Sequence, residues 1–158
     1  MWSFFDVPAV VNFTQQYDPS RLVDADSGGG ANNLHVGAVN DIHSYPNPQF
    51  PQPSETQYAM VGEFGGVGAF VAGKEWWPKQ CHTYLKVDTP AEEASTYIGM
   101  AKMLLQNRNV SVSVYTQITD VELECDGFLN YDRTNKFDEA TTQAIAAVNQ
   151  QLINAPLD

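Results

Sequence analysis

Basic residues are scarce in this chain: eight Lys and Arg stand against 19 Asp and Glu, a net charge of −11 over 158 residues. With a pI of about 4.4, such a surface repels phosphate-bearing partners, which argues against nucleic acid and anionic membrane as ligands. Long apolar runs are missing too. No stretch approaches the ~18–20 uninterrupted apolar residues of a bilayer span, so no membrane crossing is expected. Cysteine is almost absent. Cys81 and Cys125 are too few for a disulfide framework and fit neither a CxxC redox pair nor a zinc knuckle; they read as two free buried thiols. His35, His43 and His82 show no ligand spacing comparable with HExxH, so neither a metal nor a cofactor is expected. Met1–Asp6 is apolar but has no basic n-region and no small-residue cleavage site, so no export signal is expected there. The compartment is left open.

The remaining composition, 43% hydrophobic and 17% charged, suits one domain with a buried core. Val7–Tyr17 carries Val10, Val11 and Thr14 at helical spacing with Pro8 in the first turn, and Asp18-Pro19 stops it. Arg21–Ala25 reads as a short strand, followed by a loop at Ser27-Gly28-Gly29-Gly30. Val39–His43 is a second strand, running into a proline-rich surface loop at residues 45–53. Tyr58–Glu63 is a third, broken at once by Phe64-Gly65-Gly66, and a long loop with Trp76 and Trp77 comes next. Thr89-Pro90-Ala91-Glu92 is a capping box with proline at the first helical position, opening a helix that keeps Ala94, Ile98, Ala101 and Leu105 on one face. Val110–Gln117 alternates with period two, and Asp138–Ile153 closes the chain as an amphipathic helix. Strands alternating with helices or long connections predict a parallel α/β sheet with right-handed crossovers. His43, Glu63 and Gln117 then fall at strand C-termini, the edge where such sheets build their sites.

Several motifs now coincide: Asp41-Ile42-His43-Ser44-Tyr45-Pro46, Gly62-Glu63-Phe64-Gly65-Gly66, Tyr115–Glu122 and Gly127–Arg133. In this order and spacing they resemble the TIM-barrel catalytic domain of glycoside hydrolase family 2, with its β-galactosidase, β-glucuronidase and β-mannosidase-like members. The likeness covers most of the chain, from Tyr17 to the final helix. It implies a retaining β-glycosidase in which Glu63 matches the nucleophile at the end of barrel strand seven. The chemistry suits that placement, because double displacement needs an ionised, rigidly held carboxylate beside a second carboxyl group ~5–5.5 Å away.

By the same resemblance His43 and Tyr45 lie beside the nucleophile and hold its carboxylate charged and correctly turned. Asn40 and Asp41 read as structural. Gln117, at the end of strand eight, offers an amide for sugar hydroxyls, and Tyr115 is the weaker candidate there. Trp76 and Trp77 offer flat aromatic faces to a sugar's C–H surface, at least one of them being plain packing. Gly73-Lys74 stands where family members often show Gly-His. Asp120 and Glu122 read as a solvated acidic loop.

The family's acid/base glutamate belongs to an Asn-Glu motif on strand four, and this chain contains no Asn-Glu dipeptide. A complete (β/α)8 barrel takes ~250 residues, or ~200 at the short end. The expectation is therefore one partial catalytic domain over residues 1–158, a half barrel corresponding to strands five to eight with their helices. Such a half exposes two sheet edges and an apolar inner face. It is a fragment, a half barrel completed by a second chain, or a degenerate homologue. The alternative function is non-catalytic carbohydrate binding.

Overall fold

A computed structural model of the chain describes residues 6–156, so the expectation about an export signal at residues 1–5 lies outside the described residues. Each of three α-helices begins where a side chain can accept a free backbone N–H. In α1 (Val7–Tyr17) Asp6 accepts from Ala9 N at 3.1 Å; in α2 (Pro90–Gln106) Thr89 and Glu92 form the reciprocal capping box; in α3 (Glu139–Ile153) Asp138 accepts from Thr141 N at 2.8 Å. No helix among the described residues is long and apolar enough to cross a membrane.

Strands β1 (Val39–Ser44), β2 (Tyr58–Gly65) and β5 (Val110–Thr116) form a parallel three-stranded sheet in the order β1-β2-β5. β3 (Val67–Ala69) and β4 (Leu85–Val87) form a separate parallel pair. The core lies where α2 and α3 cover this sheet: Val61, Phe64, Val67, Tyr97, Met100, Leu104, Ile145 and Val148 pack there as one cluster. Strict alternation would put Val61 and Phe64 on opposite faces of β2. Register shifts on both sides of Gly62-Glu63 let both enter the core, as a β-bulge does when it re-aims a side chain.

This arrangement overturns the expected partial (β/α)8 barrel. Residues 21–25 form no strand; Val23 instead accepts from Ala38 N at 2.8 Å within a folded loop whose Asp26 is buried. The β1–β2 connection is the proline-rich loop, with no helix in it, and β3–β4 pair apart from the main sheet. Among the described residues, five short strands and three α-helices therefore make a mixed α/β unit without four successive strand–helix repeats. The strand at Tyr58 also runs on through Gly65, two residues beyond Glu63.

The cysteines are a second correction, because Cys81 and Cys125 are joined as a disulfide with their Cα atoms 5.7 Å apart. They lie 44 residues apart in sequence, and the loops carrying them lie side by side: His82 N donates to Leu123 O at 2.6 Å and Cys125 N to His82 O at 2.9 Å.

Candidate functional site

Side chains two apart on a strand share a face, and the C-terminal half of β1 uses this to stack Asp41 and His43, with Tyr45 just beyond. Across the β1–β2 pairing, His43 is the register partner of Glu63. Its Nδ1 lies 3.6 Å from Glu63 Oε2, while the opposite ring nitrogen, Nε2, lies 3.0 Å from Asp41 Oδ2. The Tyr45 hydroxyl donates to Glu63 Oε2 and sits 3.1 Å from Thr116 Oγ1 at the end of β5. Three parallel strands thus converge on one carboxylate. Its side chain remains 42% exposed, so it is gripped on one side and open on the other.

The grip is built on a buried base. Asp41 is fully buried and accepts from Gly28 N at 2.8 Å and Ser27 Oγ at 3.1 Å; Ser27 Oγ also lies 3.1 Å from His43 Nε2. Two glycines make room for it. A Cβ on Gly62 would collide with the Asp41 carboxylate, and one on Gly28, where φ is +72°, would lie 2.9 Å from His43 Cγ. The Tyr45 ring stacks on Tyr84 with centroids 3.7 Å apart and planes 6° from parallel. Burial, then the hydrogen bond to Glu63, raises the Tyr45 phenol well above its ordinary value, so it stays protonated and donates at any working pH.

The other expected site residues have contacts of their own. Gln117 gives its amide to Asp126 Oδ1 at 2.7 Å. Trp76, 52% exposed, tilts against Tyr131 with centroids 5.0 Å apart, on a loop tied down by the Lys74–Asp132 ion pair; Trp77 is 51% exposed. No described hydrogen bond or ring contact joins either tryptophan or Gln117 to Glu63. Tyr115 packs edge-on against Phe64 and Tyr97 in the core. Asp120 is not a solvated loop residue: it is buried, pairs with Lys136 Nζ at 2.9 Å and accepts from Gly127 N at 2.9 Å. Sequence reasoning passed over Ser27 and Tyr84 and read Asp41 as structural. The period-two run Asp41-x-His43-x-Tyr45 carried a signal for Asp41, whereas Ser27 and Tyr84 reach the site through tertiary folding alone.

No protein-family model matches the chain, and no curated protein matches it. Among solved structures it is similar to an exo-β-agarase, with a TM-score of 0.71 and 15% identity over 96% of this chain and 22% of that one. The chain thus spans about a fifth of that neighbour's length. The likeness is one of fold: it supports a glycosidase-like fold and does not single out family 2 among glycosidases.

Proposed function

We propose that this chain carries the nucleophile side of a retaining β-glycosidase site, with Glu63 as the attacking carboxylate. The observation that supports this reading best is the paired hold on Glu63. A phenol donates to its Oε2 and an imidazole backed by a buried aspartate flanks it, while the carboxylate stays open toward solvent. In double displacement Glu63 attacks the anomeric carbon, the bond to the leaving oxygen breaks, and a glycosyl ester forms that water later opens. The Tyr45 donor fixes which oxygen is free to attack, and His43 limits rotation of the carboxylate.

The leaving oxygen still needs a proton, and general acid help of this kind is commonly worth ~10²–10⁴ in rate. Asp41 is ill placed to give it, being fully buried behind the imidazole. The acid/base group is therefore assigned to a segment or second chain outside these residues. The test is a panel of 2-deoxy-2-fluoro-β-glycosyl fluorides, whose fluoride departs without an acid. Intact-mass and peptide mapping should find one glycosyl adduct, on Glu63, absent in Glu63→Gln. A folded protein that gains no adduct, or gains it elsewhere, overturns the reading.

A second reading, carbohydrate binding without chemistry, is favoured by the half-exposed Trp76 and Trp77. It predicts that Glu63→Gln leaves sugar affinity intact while no adduct forms on the unsubstituted protein.

A further inference from the structure

Beside Tyr45, the rim that carries Glu63 continues into a feature the proposed reaction does not use. Tyr84 is 63% exposed, and its ring lies flat on Tyr45, one aromatic layer away from the carboxylate. Next to it opens a cleft of about 230 Å³, lined by His82, Thr83, Tyr84, Glu124 and Asp126.

The cleft is held rigid from several directions. The Cys81–Cys125 disulfide and the His82–Leu123 and Cys125–His82 backbone bonds tie its two walls together. Thr83 Oγ1 donates to Gly66 O, and at Gly66, where φ is +62°, a Cβ would strike the Tyr84 ring. Gln117 fixes one oxygen of the buried Asp126. A wall set before the ligand arrives loses little freedom on binding.

We propose that this cleft is a subsite for a neutral pyranose next to Glu63, with Tyr84 as the platform for the sugar's C–H face and Glu124 and Asp126 as acceptors for its hydroxyls. The proposal rests on the glycosidase reading above and adds the substrate class: neutral glycans, with uronic and sulfated chains excluded. An exposed aromatic face beside hydrogen-bond acceptors is the combination a pyranose needs, since it has an apolar face and an equatorial ring of donors. Burial raises Asp126 to about 6, which still leaves it ionised at pH 7.5. An added carboxylate or sulfate would meet two like charges at short range, a penalty that sorts ligands by charge.

The experiment is ligand-observed saturation-transfer NMR at pH 7.5 with lactose, cellobiose, mannobiose and digalacturonate. At least one neutral disaccharide should receive saturation at its ring protons, and digalacturonate should receive none. Tyr84→Ala, at an exposed position, should weaken neutral binding at least tenfold. Glu124→Lys should raise digalacturonate affinity at least tenfold. Absence of neutral binding, equal binding by digalacturonate, or affinity indifferent to Tyr84→Ala overturns the subsite. Binding that survives Glu63→Gln but falls with Tyr84→Ala supports it whatever the labelling of Glu63 shows. A Glu63 adduct without Tyr84-dependent binding removes the subsite and leaves the nucleophile standing.

Discussion

Asp41 and His43 sit two residues apart on one strand with Oδ2 and Nε2 at 3.0 Å, on the side of the imidazole away from Glu63. A carboxylate there accepts a hydrogen bond from Nε2–H and so dictates which way the ring nitrogens are used toward Glu63. Asp41→Asn replaces a pure acceptor with a group that also donates, and leaves the volume unchanged. Long-range ¹H–¹⁵N spectra, with only His35, His43 and His82 to assign, should show the His43 tautomer changing. The rate of adduct formation on Glu63 should drop roughly 10–100-fold, the loss of a charge-assisted bond worth ~1.5–3 kcal/mol. An unchanged tautomer and an unchanged rate would remove Asp41 from the site.

Tyr45→Phe separates hydrogen bonding from packing. The ring keeps its stack on Tyr84 and loses only the hydroxyl shared between Glu63 and Thr116. Labelling of Glu63 should slow by roughly tenfold, while the denaturation midpoint moves by no more than ~1 kcal/mol in free-energy terms. A large loss of stability with unaltered labelling would mean the phenol serves the fold and not the carboxylate.

Local signals were legible where the chemistry is local. The capping box at Thr89 and the proline at the start of α2 sit within a few residues and are found where the pattern placed them; the strand at Val110 is found too, though its burial does not alternate, since Val112 and Val114 are both exposed. His43, Tyr45 and Glu63 do meet, because neighbouring parallel strands bring their C-terminal ends together. Arg21–Ala25 failed because backbone pairing with Ala38 and burial of Asp26 override a short apolar run. Cys81 and Cys125 failed because sequence separation carries no information on which loops lie side by side. Gln117 shows a third kind of gap: a strand end does not reveal that its amide has a buried carboxylate, Asp126, as a partner, because only folding brings the two together.

Buried Glu93 predicts an unusual pH profile. It accepts from Ala69 N at 2.8 Å and lies 3.7 Å from Lys136 Nζ, yet its other oxygen has no partner, and burial pushes its pKa up to about 7 from 4.5. The folded state therefore holds this proton more tightly than the unfolded chain does. The resulting stability is complete below about pH 4.5 and is lost as pH rises through about 7. Asp126, raised to about 6 by burial, acts in the same direction. Melting temperature should fall between pH 5 and pH 8, and Glu93→Gln should flatten that slope. A midpoint rising across this window, or a slope identical in Glu93→Gln, would contradict the assignment. Lys136→Met, which leaves Asp120 and Glu93 without their cation, should cost ~3–5 kcal/mol.

Gly62→Ala tests the close approach of β2 to the Asp41 carboxylate, since the added methyl collides with that buried group. Because Asp41 is anchored by Ser27 and Gly28, it has little room to give way. The substitution should destabilise by ~1–3 kcal/mol, the usual cost of overpacking, and should slow labelling of Glu63 by displacing His43. Gly99→Ala, in α2 with open space around its Cβ, is the control and should be neutral or stabilising. Equal effects from the two would show that the Asp41 contact imposes no constraint.

The Cys81–Cys125 bond closes a loop that spans β4, α2 and β5, so reducing it restores a large conformational freedom to the unfolded chain. Loop-closure arguments put the loss at ~2–4 kcal/mol. The bond also joins the two walls of the cleft beside Tyr84, whereas Glu63 is held by β1 and β5 through Tyr45, His43 and Thr116. Cys81→Ala/Cys125→Ala should therefore lower the melting temperature and weaken neutral disaccharide binding together. Below that melting temperature, adduct formation on Glu63 should continue at close to the original rate. If labelling falls in step with sugar binding, the two features are one mechanical unit, and the separation of nucleophile from subsite is wrong.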